Sequence, residues 1–275
     1  MAVPKKVCER FTAAMKRLGP IVEQQRARDV SEADTVTLVK DLLCDVFGYD
    51  KYAELTSELA IRGTYCDLAV KLDDKLSHLI EVKAIGTALN DRHVKQAVDY
   101  AANQGVEWVI LTNAATWRLY HVEFSKPIDK RLIAELELAS LDCRRDADLE
   151  LLYLFSREGV RKGAPAELRD RQDATSRYLL AALLLHNDSV VSVIRRELRR
   201  MVDINVSEDE VIKVLRDEVI KRDTLEGPPA EEATRRVDRA ENRRLRDAGK
   251  GGTADTVAGA TPVPDSPKED AAPAP

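Results

Sequence analysis

The chain has 275 residues, 44% hydrophobic and 33% charged, enough for one core domain and a smaller appendage. Its net charge of −5 disfavours avid DNA binding over the whole surface, so any nucleic-acid contact must rely on a local basic patch. The longest apolar run, Leu179 to Leu185, is too short to span a bilayer, and no signal-peptide pattern is present. We expect a cytoplasmic, bacterial-type protein without a membrane partner.

The N-terminal segment has helical periodicity. Residues 5–29 predict a helix that is interrupted at Gly19-Pro20, because proline removes a backbone hydrogen bond. We assign residues 1–30 to N-terminal helices that pack on the core. The apolar positions of this packing face are Val7, Phe11, Ala14 and Leu18.

A β-hairpin is predicted next. Tyr65 to Leu72 and Leu76 to Val82 are short apolar segments, and Asp73-Asp74-Lys75 between them is a strong turn signal. Residues equidistant from a hairpin turn pair across the strands, which places Asp67 opposite the neighbourhood of Glu81.

Two carboxylates and a lysine therefore meet at the open end of this hairpin. Glu81 and Lys83 share one face of the strand, because successive side chains alternate. Carboxylates this close favour a divalent cation, which Asp67, Glu81 and the Val82 carbonyl would bind. Lys83 would orient or deprotonate the attacking water and neutralise a phosphate. From these residues alone, a structural salt bridge at a strand end is an equal alternative.

A helix and two strands follow. Asn90 to Gln104 has a helical apolar stripe, and Gln96 and Tyr100 lie one turn apart on one face. Taken singly, they are typical of a surface amide and an aromatic at the core edge. Trp108 to Thr112 and Thr116 to Val122 predict strands, so the order is helix, three strands, helix, two strands. The stripe consists of Val94, Ala97, Val98 and Ala101.

At this point the chain resembles a known family. The stretch from Ser31 to about Phe124 is similar to the N-terminal nuclease domain of the restriction subunit (HsdR) of type I restriction-modification enzymes, in the PD-(D/E)xK superfamily. The matching text is Cys-Asp67-Leu-Ala, Leu-Ile-Glu81-Val-Lys83-Ala, Gln96-Ala-Val-Asp-Tyr100-Ala and Leu111-Thr-Asn-Ala-Ala-Thr-Trp117-Arg-Leu-Tyr120.

The resemblance implies an α/β fold, a restriction-endonuclease-like mixed sheet flanked by helices, over residues 31–125. It also implies Mg²⁺-dependent cleavage of DNA, with Mn²⁺ able to substitute. Asp67, Glu81 and Lys83 would be catalytic, and Gln96 and Tyr100 would support the lysine or contact DNA.

Glu32 has two interpretations of equal weight. In many superfamily members an acid on the first core helix assists the metal, and Glu32 is the candidate here. Equally, Ser31 as N-cap with Glu32 and Asp34 in the first turn is ordinary helix-start chemistry.

The chain departs from the family in two ways. One concerns the catalytic motif, and the other concerns the ATP-driven helicase translocase that follows the nuclease domain in the restriction subunit. Cys66 replaces the proline of the superfamily name, at a variable position. The sequence contains no Gly-x-x-x-x-Gly-Lys-Ser/Thr phosphate loop, so we expect no ATP-driven translocation from this polypeptide.

A local basic patch is the predicted DNA contact. Arg62, Arg92 and Lys95 surround the acidic set, although scattered surface charge is the commoner explanation for such residues. The acidic balance of the chain favours weak intrinsic affinity or reliance on a partner, such as other restriction or defence subunits.

The remaining sequence predicts a helical domain over residues 146–223, in which Ser207 and Glu210 form a capping box. The turn Asp203 to Ser207 could belong to a DNA-reading helix-turn-helix, but partner docking or homo-oligomer formation is the favoured role. Residues 224–275 lack aromatic residues and predict a disordered tail, with a transient helix over Arg235 to Arg246.

The sequence thus predicts a metal-dependent deoxyribonuclease without a helicase motor, acting in restriction or defence against foreign DNA. The alternative is a nucleic-acid-binding or partner-docking module that has the nuclease fold and little activity.

Overall fold

The computed structural model of the protein describes residues 2–61, 64–124 and 127–251. The chain divides into two compact units, residues 1–172 and residues 173–275. The helices of the first unit are α1 (Lys5–Ala27), α2 (Glu32–Asp45), α3 (Asp91–Gln104), α4 (Asp146–Phe155), α5 (Arg157–Arg161) and α6 (Ala164–Ala174). Its strands are β1 (Leu55–Ile61), β2 (Thr64–Leu72), β3 (Lys75–Val82), β4 (Trp108–Thr112), β5 (Thr116–Glu123) and β6 (Asp129–Glu137).

The six strands form one mixed sheet in the order β1-β2-β3-β4-β5-β6. Only the β3–β4 pair is parallel among these neighbours, and α3 is the crossover that connects the two strands. In the β2–β3 hairpin, Leu72 pairs with Lys75, so the turn consists of Asp73 and Asp74 alone. Both aspartates have positive φ, as a two-residue hairpin turn that matches strand twist requires. The predicted α/β sheet flanked by helices is confirmed.

Helices cover both faces of the sheet. On one face, α1, α2 and α4 pack on alternate strand residues such as Leu68, Ile80 and Val82. On the other face, α3 packs on Leu79, Val109 and Leu111 through its buried stripe. Because Glu81 alternates with Ile80 and Val82 and shares the side of Leu79, it lies on the α3 face. The four predicted stripe residues Val94, Ala97, Val98 and Ala101 are all buried there.

The first helix is not interrupted, contrary to the prediction for residues 5–29. α1 runs from Lys5 to Ala27 with Pro20 inside it. An internal proline costs a helix about 3 kcal/mol. Here the same apolar face continues on both sides of it, from Leu18 to Val22, and its burial holds the two halves in one helix.

The first unit also extends beyond residue 125. β6 pairs antiparallel with β5 and closes the sheet edge, although its alternating charged sequence gave no strand prediction. Residues 146–172, predicted to open the helical domain, belong to the first unit. Their aromatic side chains explain this placement, because Phe155 lies 5.9 Å from Phe47 and 6.2 Å from Trp117 between ring centroids.

The second unit consists of helices. They are α7 (Arg177–His186), α8 (Asp188–Val202), α9 (Glu208–Val214), continued by a π-helical turn over Leu215–Val219, and α10 (Pro228–Gly251). The Ser207–Glu210 capping box is confirmed. In the described residues no single helix is long and apolar enough to cross a membrane, while α7 and α8, bent by 73°, pass that test only as a pair.

The helix-turn-helix interpretation fits the second unit poorly. The helix that would read DNA, α9, begins with Glu208, Asp209 and Glu210, which would repel phosphates. Arg195 on α8, a cation that a DNA-reading motif would direct at phosphates, instead donates to Glu208 at 2.6 Å and to the Val206 carbonyl at 2.8 Å.

The tail predicted from residue 224 contains α10. This helix packs on α7 by burying Ala233 and Val237 against Ala182, and Ala230 is buried as well. Small side chains allow this close approach without aromatic residues, which is why composition alone suggested a tail. α10 ends at Gly251, and the rest of the predicted tail, residues 252–275, lies outside the described residues.

Truncation after Leu225 is therefore expected to destabilise the second unit. Removing α10 exposes the α7 surface around Ala182, a loss of roughly 3 kcal/mol from the apolar area involved. Amide hydrogen exchange of the α7 peptide should become faster than in a matched truncation after Gly251. Equal α7 protection in the two truncated proteins would mean that α10 contributes no stability.

A buried histidine makes stability depend on pH. His78 on β3 is 1% exposed, stacks on Trp108, and has its pKa lowered by burial from 6.5 to about 4. Between these values the unfolded chain binds a proton that the folded chain does not, so stability falls as the pH falls from 6.5 towards 4.

The expected loss across that window is about 3 kcal/mol, and it should appear as a lower urea midpoint at pH 4.5 than at pH 7. His78→Phe keeps a ring and removes the titration, so its midpoint should change less over the same pH range. Parallel curves for the two proteins would contradict the assignment to His78.

Candidate functional site

The site lies where the hairpin strands separate. The β2–β3 ladder runs from the turn to the pair Leu68–Ile80, and Asp67 and Glu81 come one residue beyond it. Beyond the ladder, the Val82 N–H donates to Asp67 Oδ2 at 2.8 Å. The carboxylate thus takes the place that a backbone carbonyl of β2 would have as the acceptor. The predicted placement of Asp67 beside Glu81 follows from this register.

Lys83 connects two acids. Its Nζ donates to Glu81 Oε1 at 2.7 Å and lies 3.8 Å from Glu32 Oε2 at the start of α2. The Glu81 side chain is only 3% exposed, the Lys83 side chain 19%, and that of Glu32 50%. Glu81 Oε2 is buried without a hydrogen-bond partner. One carboxylate oxygen in the site is therefore free to accept another ligand.

The charges of this group do not balance. Burial raises the pKa of Asp67, and the Val82 amide and Lys83 only partly oppose this effect. Burial also raises the pKa of Glu81, and the proximity of Asp67 and Glu32 adds to the increase. Three carboxylates share one ammonium group, so full ionisation leaves two excess negative charges, which a cation would stabilise.

The ammonium group of Lys83 responds in the opposite sense. Burial alone would lower its pKa, but the hydrogen bond to Glu81 and the charges of Glu81, Glu32 and Asp67 raise it. Lys83 is therefore held in its charged form at neutral pH.

Both interpretations of Glu32 agree with the geometry. Ser31 caps α2 by accepting from the Asp34 N–H, and Glu32 and Asp34 lie in the first turn. The Glu32 carboxylate also reaches the vicinity of Lys83. Capping uses the Ser31 side chain and the Asp34 N–H, whereas the contact with Lys83 uses the Glu32 carboxylate. The two roles therefore do not exclude each other.

Gln96 and Tyr100 contact each other. Gln96 Nε2 donates to the Tyr100 hydroxyl at 2.7 Å, as expected for residues one turn apart on α3. Tyr100 is 7% exposed within the α3 core, whereas Gln96 is exposed. They lie on the helix that covers the Glu81 face of the sheet, and their roles towards Lys83 or DNA stay predictions.

The predicted basic patch is described only in part. Arg92 and Lys95 are exposed on the first turns of α3, where backbone N–H groups and the helix dipole also favour anions. Arg62 lies outside the described residues.

Two site-supporting residues were absent from the sequence predictions. Thr35 on α2 and Asn113 between β4 and β5 both hydrogen-bond to the loop that follows Lys83. Thr35 carried a usable signal, because it occupies the apolar stripe of α2 together with Leu38, Val39 and Leu42. Asn113 stands in a turn-like Asn-Ala-Ala sequence, which explains its presence without reference to the site.

Comparison with known families identifies the segment that carries this geometry. Residues 39–135 match the family described as "Type I restriction enzyme R protein N terminus (HSDR_N)". This segment is similar to the N-terminal part of type I restriction enzyme R proteins. The match confirms the resemblance and indicates a nuclease-like domain of the type I restriction enzyme kind. Searches of curated proteins and of solved structures returned no match to the chain.

Most of the predicted site lies inside the matched segment, including Asp67, Glu81 and Lys83. Glu32 precedes the matched residues, so its role depends on geometry alone. Within the described ranges, no three His, Cys, Asp or Glu side chains form a group that could hold a metal ion by themselves. A metal here would need backbone, water or substrate oxygens as further ligands.

Substitution of Gln96 tests whether this face of α3 contributes to the candidate site. Gln96→Ala should reduce DNA cleavage about tenfold and leave Mg²⁺ affinity unchanged, since the amide would position Lys83 or phosphate without touching metal. Because Tyr100 is buried, Tyr100→Phe should alter the melting temperature less than Tyr100→Ala. Unchanged cleavage by Gln96→Ala would remove Gln96 from the site.

Proposed function

We propose that the chain is a Mg²⁺-dependent DNA endonuclease that acts in restriction of foreign DNA. The observation that carries the proposal is the convergence of Asp67, Glu81 and Lys83 where β2 and β3 separate, inside a restriction-enzyme family segment. The family supports a nuclease in general terms, and metal dependence and turnover are the proposed additions.

The donor atoms fit a hard divalent cation. Glu81 Oε2 is buried without a partner, and Asp67 accepts the Val82 N–H through Oδ2. The N–H and C=O of a strand residue point to the same side, so the Val82 carbonyl also faces the gap beside Asp67. Mg²⁺ binds one or two carboxylates and completes its shell with water and phosphate oxygens, and Mn²⁺ can replace it. Glu32 would contribute through its carboxylate near Lys83.

The bound cation would supply Lewis-acid stabilisation of the phosphodiester and a more acidic attacking water. Lys83, held as an ammonium by Glu81 and Glu32, would orient that water and neutralise charge on the scissile phosphate. Its raised pKa makes proton abstraction by the neutral amine the less favourable of the two roles considered.

Substrate affinity would depend on a small basic surface. Arg92 and Lys95 at the start of α3, with Arg62, would contact phosphates on the α3 side of the site. With a net charge of −5, the chain would bind DNA weakly alone and gain affinity from other restriction or defence subunits, or from a homo-oligomer formed by the helical unit. These partners and a cytoplasmic location complete the proposal.

A second candidate is a nucleic-acid-binding domain of the same fold without turnover. The Lys83–Glu81 ion pair favours it, since the pair engages one carboxylate oxygen in an internal contact. So does the finding that no three acidic, His or Cys side chains of the described ranges form a complete metal group.

Cleavage of supercoiled plasmid and linear DNA, with MgCl₂, with MnCl₂ and with EDTA, tests the proposal. We expect cleavage with either metal and none with EDTA. Isothermal titration of the protein with MgCl₂ separates the two candidates, because the binding domain would neither bind Mg²⁺ nor cut. Metal-independent cleavage would contradict the proposed mechanism.

A further inference from the structure

The loop after Lys83 is held by side chains from two other parts of the first unit. Lys83 ends the parallel pairing, with its N–H donating to the Thr112 carbonyl at 2.8 Å. Two residues later, the Ile85 N–H donates to Thr35 Oγ1 at 3.1 Å. Asn113 Nδ2 donates to the carbonyls of Ile85 at 3.3 Å and Thr87 at 2.9 Å. Both backbone polar groups of Ile85 are thus paired with side chains.

Thr35 joins the two segments that carry the partners Glu32 and Lys83. Its hydroxyl donates to the Ser31 carbonyl at 2.8 Å, one residue before Glu32. The same oxygen accepts from the Ile85 N–H, two residues after Lys83. Thr35 is fully buried, so water cannot replace either bond without opening the core.

Packing around the loop leaves little room for an alternative conformation. Ile85 is 1% exposed within the core beneath α1 and α2. A Cβ on Gly86 would lie 2.1 Å from Asp29 Oδ1, so this loop approaches the α1–α2 connection closely. Asn113 is fixed in turn, because its Oδ1 accepts from the Thr116 N–H at 2.7 Å.

We propose that Thr35 is a positioning residue which, with Asn113 on the other side of the loop, sets the distance between Glu32 and the Lys83 ammonium group. The inference rests on the proposed nuclease function for its catalytic consequence. The geometric part concerns the protein alone and can be measured without substrate.

The test uses three threonine variants of the full chain. Thr35→Val keeps the shape and removes the hydroxyl, and Thr35→Ser restores the hydroxyl. Thr37→Val is the matched control, because Thr37 makes the same type of bond to the Ala33 carbonyl on the exposed side of α2. The first readout is the rate at which acetic anhydride modifies Lys83, and the second is amide exchange of the peptide that contains Ile85.

In Thr35→Val we expect Lys83 modification about fivefold faster and Ile85 exchange at least tenfold faster than in the native protein. Cleavage should fall about tenfold in kcat with KM within twofold, since binding residues are untouched. Thr35→Ser and Thr37→Val should behave as the native protein does in all measurements.

Native-like Lys83 modification and Ile85 exchange in Thr35→Val would overturn the inference. Native-like cleavage despite faster modification would overturn its catalytic part. If the native protein cuts no DNA while modification still rises in Thr35→Val, the proposed function fails and the positional role of Thr35 stands.

Discussion

Glu81→Gln is expected to lower Mg²⁺-dependent DNA cleavage by about a thousandfold, because it removes a metal ligand and the main partner of Lys83. The substitution keeps the size of a side chain that is 3% exposed, so it opens no cavity. Burial raises the pKa of Glu81, which means that the folded protein holds the ionised form less favourably than water does. The melting temperature at pH 7 should therefore be unchanged or higher.

Lys83→Ala should reduce cleavage to a similar extent through a different group. It removes the ammonium between Glu81 and Glu32 and leaves their carboxylates uncompensated, so Mg²⁺ affinity should be retained or increased. The measurement is Mg²⁺ affinity and single-turnover rate for both variants. Loss of a metal ligand should lower both quantities, whereas loss of a group that acts on water or phosphate should lower the rate alone.

Asp74→Asn and Lys75→Ala are matched controls on the same hairpin. Asp74 is exposed in the turn at positive φ, a conformation that asparagine tolerates, and Lys75 is exposed at the start of β3. Both controls should cleave as the native protein does. Full activity of Glu81→Gln beside active controls would refute the metal-site assignment.

The sequence predicted the hairpin part of the site because its determinants are local. The Asp73-Asp74 turn pairs Leu72 with Lys75, and a one-residue register shift between Val70 and Lys71 then brings Asp67 level with Glu81. Strand alternation then puts Glu81 and Lys83 on one face. The same local logic located α3, whose N-cap is Asn90 and whose end is Gly105 in the left-handed region.

The supporting contacts could not be predicted because they join distant segments. Ile85 and Thr35 are 50 residues apart, and Ile85 and Asn113 are 28 apart. Their encounter depends on how α2 and the β4–β5 turn pack around the sheet, which periodicity does not encode. A polar residue in the apolar stripe of α2 was the one local sign of such a contact.

Tertiary packing also overrode two local signals. Gly19-Pro20 predicted a break in α1, yet burial on either side keeps one helix. The composition after Leu225 predicted a tail, yet α10 buries small residues against α7. In both cases the free energy that decides the structure comes from a partner element, so a window of sequence judged alone gives the wrong result.

Asp67→Asn should separate stability from function at the same site. Burial raises the pKa of Asp67, so the folded chain binds a proton more tightly than the unfolded chain, and stability falls as rising pH ionises the group. At pH 7 the native carboxylate is therefore destabilising. Asparagine removes that charge and can still accept from the Val82 N–H, so the metal-free variant should melt at a higher temperature than the native protein.

Magnesium should reverse this order. A cation that binds only the folded native protein stabilises it by about 2.7 kcal/mol at a concentration one hundred times its Kd. Asp67→Asn should lose most of this increase and cleave about a thousandfold more slowly, because one ligand is gone.

The measurement is a melting series in MgCl₂ against NaCl of equal ionic strength, with Asp74→Asn as the control that keeps the native response. A lower metal-free melting temperature for Asp67→Asn would show that the carboxylate stabilises the strand ends, and an undiminished MgCl₂ response would place the cation elsewhere. We therefore expect an Asp67→Asn variant that is stable, does not respond to Mg²⁺ and is inactive. This combination is typical of a residue that serves the chemistry of a site at a cost in stability.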